Sequence, residues 1–88
     1  MIEIFWTKNA AKELQYWKIN NLNNFERIKE LIEAIRINPF GGLGKPEPLR
    51  YQLKGCWSRR ISGEHRLVYR VKNKYEVEIL QCRFHYQR

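Results

Sequence analysis

The spacing of apolar residues changes period once along this chain. The change falls on an eleven-residue stretch, 38–48, that holds all three prolines and three of the five glycines. Before it, apolar side chains recur at helical intervals; after it, they alternate. Ile2 to Trp6 is a short run of β-branched and aromatic residues and predicts a strand. Thr7 can cap a helix reaching about Ile19, with Ala10, Leu14 and Trp17 on one face. Asn20-Asn21-Leu22-Asn23 interrupts it, and Asn23 followed by Glu26 has the form of a capping box. The next helix carries Phe25, Ile28, Leu31, Ile32 and Ile35 on a single stripe.

Beyond Pro48 the pattern becomes that of a sheet. Leu49, Tyr51 and Leu53 would share one face of a strand, with Arg50 and Gln52 on the other. Trp57–Ile61 and His65–Val71 predict a hairpin about Ser62-Gly63-Glu64, and Tyr75–Arg83 a last strand. The order β-α-α-β-β-β-β predicts an α+β fold, an antiparallel sheet covered on one face by two N-terminal helices. The forty residues after the Pro/Gly stretch are too few for a core of their own, so that stretch reads as a connection within one domain spanning 1–88.

Charge separates the two halves. Residues 1–40 carry six basic and five acidic side chains, residues 41–88 eleven and four. The net +8 is therefore concentrated beside the expected sheet, and every acid is a glutamate. Such an asymmetry points to a polyanion contacted by the second half, nucleic acid above all. Cys56 and Cys82, with two histidines at no metal-like spacing, argue against a zinc site, and no cofactor is expected. Met1–Trp6 is too short and too acidic for a signal peptide or membrane span. A cytoplasmic protein with reduced thiols is expected, away from membranes.

A few polar residues are of types that could carry chemistry. Glu47 sits between Pro46 and Pro48, whose rings stiffen the backbone and would hold a carboxylate in place as a general base. The same position also suits a plain glutamate in a rigid loop. Arg60 and Arg66 flank the hairpin turn. A three-residue loop would set them opposite one another, whereas a two-residue loop would pair Arg60 with His65. Opposed arginines are unfavourable unless an anion lies between them, and a guanidinium fits phosphate oxygens well. His85 can exchange a proton near neutral pH, and Tyr86 can hydrogen-bond a phosphate or stack on a base. His65, at the turn, reads as structural. Cleaving RNA through its own 2′-hydroxyl needs a base, a cation for the phosphorane and an acid for the leaving 5′-oxygen. Glu47, Arg66 and His85 are the matching types.

The runs Pro39-Phe40-Gly41, Gly44-Lys45-Pro46-Glu47-Pro48-Leu49, Trp57-Ser58-Arg59-Arg60-Ile61, Glu64-His65-Arg66-Leu67-Val68-Tyr69 and Cys82-Arg83-Phe84-His85-Tyr86 together resemble the YoeB (Txe/YoeB) toxins of the RelE superfamily, over essentially the whole chain. The resemblance implies a microbial-ribonuclease-like fold and ribosome-dependent, metal-independent cleavage of mRNA in the A site. It implies a YefM/Phd-type antitoxin, the 70S ribosome with its mRNA and rRNA as partners, and homodimerisation. By position it makes Glu47 the base, His85 the acid and Arg66 the transition-state arginine, with Arg60 and Tyr86 in support. Lys45, Arg50 and Tyr51 would contact RNA. Tyr51 stands where such toxins are expected to carry histidine, and Arg50 where lysine is common. Arg50 keeps the charge, but Tyr51 cannot exchange a proton near pH 7.

Two other classes compete. A ParE-type relative on the same scaffold would poison DNA gyrase without needing Glu47, Arg66, His85 and Tyr86 together. A plain basic RNA-binding module would account for the charge but not for the rigid Pro-Glu-Pro.

Overall fold

A computed structural model describes residues 1–85; Tyr86, Gln87 and Arg88 lie outside the described residues. Strand β1 (Glu3–Trp6) leads into helix α1 (Lys8–Asn20), helix α2 (Leu22–Ile37), and strands β2 (Glu47–Pro48), β3 (Cys56–Ser62), β4 (His65–Asn73) and β5 (Glu76–Gln81). The sheet order is β1-β5-β4-β3-β2.

The helices start where short polar side chains can satisfy orphan amides. Thr7 Oγ1 accepts from Ala10 N at 3.1 Å, as the sequence predicts. The second cap differs from the expected capping box. Asn21, not Asn23, takes the role, its Oδ1 accepting from Asn24 N at 3.2 Å. Asn21 also closes α1, its backbone N–H donating to Trp17 O, so one residue ends one helix and starts the next. The helix therefore begins earlier, and Asn24 is buried, accepting from Ser62 Oγ at 2.9 Å.

The stripe of α2 buries Ile28, Leu31, Ile32 and Ile35 against Ile61, Leu67, Tyr69, Val77 and Ile79 of the sheet, with Ala10 and Trp17 from α1. Each such aliphatic side chain contributes about 1.5–3 kcal/mol on burial, which makes this layer the main source of stability. Among the described residues, the reverse face holds a small cluster, Leu49, Cys56 and Val68 with Leu53 and Leu80, and is otherwise open.

Two further features depart from the sequence expectation. The sheet is mixed: β1 runs parallel to β5 (Ile4 beside Val77, Trp6 beside Ile79), while the other neighbours are antiparallel. Hairpins force β3, β4 and β5 to alternate, but β1 is separated from the rest by two helices, and no tight turn constrains its direction. The expected strand over Leu49–Leu53 is instead a 3₁₀ turn, Tyr51–Leu53, and the paired residues lie upstream at Glu47 and Pro48. Tyr51 has φ 58° and Gly55 φ 94°, which fold the chain into a tight return to β3. Proline is tolerated here because β2 is an edge strand. No described helix is long and apolar enough to cross a membrane.

Candidate active site

The open face of the sheet gathers most of the singled-out residues. Glu47 pairs with Ser58, and Ser58 with Val68. Val68 belongs to the small cluster on the open face, so Glu47 shares that face. One step along, Arg60 pairs with Arg66. Glu47 and Arg60 are thus diagonal neighbours, roughly 7–8 Å apart at the Cβ atoms. Glu47 and Arg66 stand two strands apart and two residues out of level, roughly 12 Å at the usual spacing and rise. A carboxylate and two guanidiniums therefore border one exposed patch.

The hairpin register has a simple cause. The turn is the two-residue kind, with Ser62 opposite His65, yet Arg60 still faces Arg66, because Ile61 is bulged out of the ladder between them. The extra residue restores the pairing that a two-residue loop alone would shift. Ile61 points into the helix-side core, 6% exposed, which gives the bulge an anchor. Arg27 of α2 adds another, donating from Nη2 to Arg60 O at 3.2 Å. Arg66 Nη1 lies over the turn, donating to Gly63 O at 2.8 Å and His65 O at 3.0 Å.

The approach to Glu47 is fastened by a residue to which the sequence reading gave no role. Arg59 is fully buried on the helix side of β3. Its Nε donates to Tyr69 Oη (2.9 Å), Nη1 to Leu43 O (2.8 Å) and Nη2 to Asn38 O (2.7 Å) and Gly41 O (2.8 Å). Tyr69 Oη in turn donates to Pro39 O at 2.7 Å. A buried cation is tolerable only when its donors are satisfied; here backbone carbonyls do so, and in return the Pro/Gly stretch is clamped to the sheet. Burial pushes the Tyr69 phenol up from its ordinary value, with the Arg59 guanidinium opposing. The signal was available: in an alternating strand, Trp57, Arg59 and Ile61 share a face, so Arg59 falls at an inward position. Next along, Gly44 has φ 90°, and a Cβ there would meet Leu31 Cδ2 at 2.7 Å. Gly44 O accepts from Arg60 N at 2.8 Å. The exposed Lys45 follows directly with φ 52°, then Pro46 and Glu47.

His85 reaches this region through its backbone neighbour. The ladder of β5 ends at Gln81; the next residue, Cys82, donates its N–H to Glu13 Oε1 at 2.8 Å, and its carbonyl accepts from Trp17 Nε1 at 2.8 Å. Phe84 O then accepts from Arg66 N at 3.0 Å. Gln81 Nε2 donates to Arg83 O and His85 O, both at 3.2 Å. The backbone at His85 is thus held beside Arg66.

Arg50 and Tyr51 stand apart from this group. They belong to the turn at the far end of β2, near Gly55; Tyr51 is 73% exposed. Tyr86 lies outside the described residues. Among the described residues no three His, Cys, Asp or Glu side chains gather as metal ligands would.

Comparison with known proteins adds ancestry to this geometry. A sequence profile described as a YoeB-like toxin of bacterial type II toxin–antitoxin systems matches residues 6–86. Toxin YoeB of Synechocystis is 45% identical over 99% of this chain and all of its own length. A structure described as a YoeB/ParE toxin from Agrobacterium tumefaciens superposes with TM-score 0.93 at 43% identity, covering 97% of this chain and 100% of that one. A YoeB–YefM complex from Staphylococcus aureus gives 0.86 at 38% identity, covering 98% and 99%. A YoeB dimer from the same organism gives 0.88 at 37%, covering 97% and 98%. The chain belongs to the YoeB-like toxins of bacterial type II toxin–antitoxin systems.

Proposed function

We propose that this toxin is a ribosome-dependent endoribonuclease that cuts mRNA in the A site and so stops translation. The observation that supports this most is the shared open face of Glu47, Arg60 and Arg66, with the His85 backbone held beside Arg66. Glu47 takes the proton from the ribose 2′-hydroxyl, whose oxygen attacks phosphorus. Arg66 and Arg60 hold the phosphorane oxygens as negative charge builds there. His85 gives a proton to the departing 5′-oxygen, leaving a 2′,3′-cyclic phosphate and a 5′-hydroxyl. Tyr86 assists at the phosphate. Acid, base and cation all come from side chains, so the reaction runs without a metal. Lys45, Arg50 and Tyr51 line the path of the RNA away from the scissile bond, Tyr51 by stacking.

The antitoxin of this module is of the YefM type, a reading supported by the Staphylococcus complex. An acidic segment that folds on binding would complement the basic half of the chain. The Staphylococcus dimer supports self-association on the same grounds, and the chain works in the cytoplasm, where its ribosomal target is. Primer extension on mRNA from translating ribosomes tests the activity. Cuts confined to A-site codons are expected. Intact transcripts with inhibited supercoiling would replace this reading with gyrase poisoning.

A further inference from the structure

We propose that His65 is a positioning residue for His85, acting through the backbone of Phe84; the inference rests on the nuclease reading above. His65 Nδ1 accepts from Phe84 N at 2.8 Å. An amide can only donate, so Nδ1 carries no proton in this state and a neutral ring holds its hydrogen on Nε2. The next residue supplies the other half of a clamp, since Arg66 N donates to Phe84 O at 3.0 Å. Two successive residues of β4 thus hold both polar groups of Phe84, directly before the proposed acid.

The clamp has strain to contain. Phe84 has φ 62°, a left-handed conformation that bulky side chains seldom adopt. Such a residue stays there only when its surroundings hold it, and release would turn the chain at His85. The His65 ring is itself fixed, edge-on to Trp17 with centroids 4.7 Å apart and 5.6 Å from Phe84. Trp17 is tied to Cys82 O. Residues 82–85 are therefore held from α1, β4 and β5 together, and the His65 ring accepts the amide hydrogen of the residue next to His85. A displacement of about 1 Å in a reacting group can cost on the order of 10²-fold in rate. Holding this one peptide therefore matters to turnover more than to folding.

Two substitutions separate the hydrogen bond from the ring. His65→Phe keeps the ring volume beside Trp17 but removes the acceptor. His65→Asn places Oδ1 where Nδ1 stood. On saturated ribosomes, single-turnover cleavage by H65F is expected to fall at least about 10-fold with ribosome binding unchanged, and H65N to recover most of the loss. In the free toxin, exchange of the Phe84 amide should quicken in H65F and stay slow in H65N. His65→Gln, whose amide cannot match the Nδ1 position, should behave like H65F and serves if H65F does not fold. Wild-type cleavage by H65F, or equal losses in H65F and H65N, would overturn the proposal. So would an unchanged Phe84 exchange rate, which requires no nuclease activity. A wild-type toxin that never cuts mRNA removes the nuclease reading and with it a role for His65 in catalysis.

Discussion

Arg60 faces Arg66 across the β3–β4 hairpin because Ile61 is bulged out between the arginine pair and the turn. Two guanidiniums at directly opposed positions repel, by about 0.2–1 kcal/mol at an exposed site. The fold tolerates this cost, and an anion between them would reverse its sign.

Arg60→Gln should therefore stabilise the free toxin slightly while weakening its action on RNA. Thermal melts at low and high salt measure the first effect. The gain should appear at low ionic strength and shrink as salt screens the pair. A variant that melts lower at both salt concentrations would mean the two arginines are not in repulsive contact.

Glu47→Gln and His85→Gln each remove a group to which the proposed mechanism gives a proton transfer, while nearly preserving size. Each is expected to slow single-turnover cleavage on saturated ribosomes by about 10²–10⁴-fold, with ribosome affinity nearly unchanged. Arg66→Ala should lose the most, because phosphate placement and charge stabilisation disappear together. Loss of ribosome binding in the first two variants would make Glu47 and His85 docking contacts instead of catalytic ones.

The Arg59 clamp makes a stability prediction. Arg59→Met would leave Tyr69 Oη and the carbonyls of Gly41 and Leu43 without the Arg59 donor, and Asn38 O with only Gly41 N. A buried group left unpaired, as Tyr69 Oη would be on its accepting side, costs about 1–3 kcal/mol, and the part-buried carbonyls add to it, so the variant should be strongly destabilised and the loop released. Tyr69→Phe loses the bond to Pro39 O and one acceptor for Arg59, and should cost only about 1–3 kcal/mol. Urea titrations of both would show the ranking; equal midpoints would mean the loop does not depend on the clamp.

Legibility in the sequence followed the physical range of each signal. The helix stripes and the β3–β4–β5 alternation were readable because burial imposes a period on adjacent residues. The parallel pairing of β1 with β5 was not, since it joins residues about seventy positions apart and no local pattern encodes it. Leu49, Tyr51 and Leu53 alternate like a strand, and Leu49 N still donates to Cys56 O, but from Tyr51 on the chain bonds to itself, Leu53 N to Arg50 O and Lys54 N to Tyr51 O, before Gly55 turns it. At the site, Glu47 was recognisable from its prolines and Arg60 and Arg66 from the hairpin. The pairing of the arginines depended on a bulge that the sequence left open. Arg59 went unremarked as a clamp because its partners are backbone carbonyls, which carry no residue code.

Cys82 starts the segment that carries His85, and its thiol offers a probe of that segment's packing. Burial, with the negative charge of Glu13 nearby, pushes the thiol from its ordinary 9.0 up to about 12. In the unfolded chain the same group ionises near its ordinary value. Between about pH 9 and 12 the unfolded state therefore gives up a proton that the folded state keeps, and stability falls as pH rises; below that window the thiol contributes no pH dependence. The urea midpoint should decline more steeply above pH 9 in the wild type than in Cys82→Ala, a comparison in which titration of the lysines and tyrosines cancels. Alkylation at pH 9, followed by peptide mass spectrometry, should label Cys82 only as fast as the protein opens. Parallel pH slopes in the two proteins, or prompt labelling of the folded toxin, would mean that the start of the His85 segment is exposed to solvent and not packed under Trp17 and Ala10.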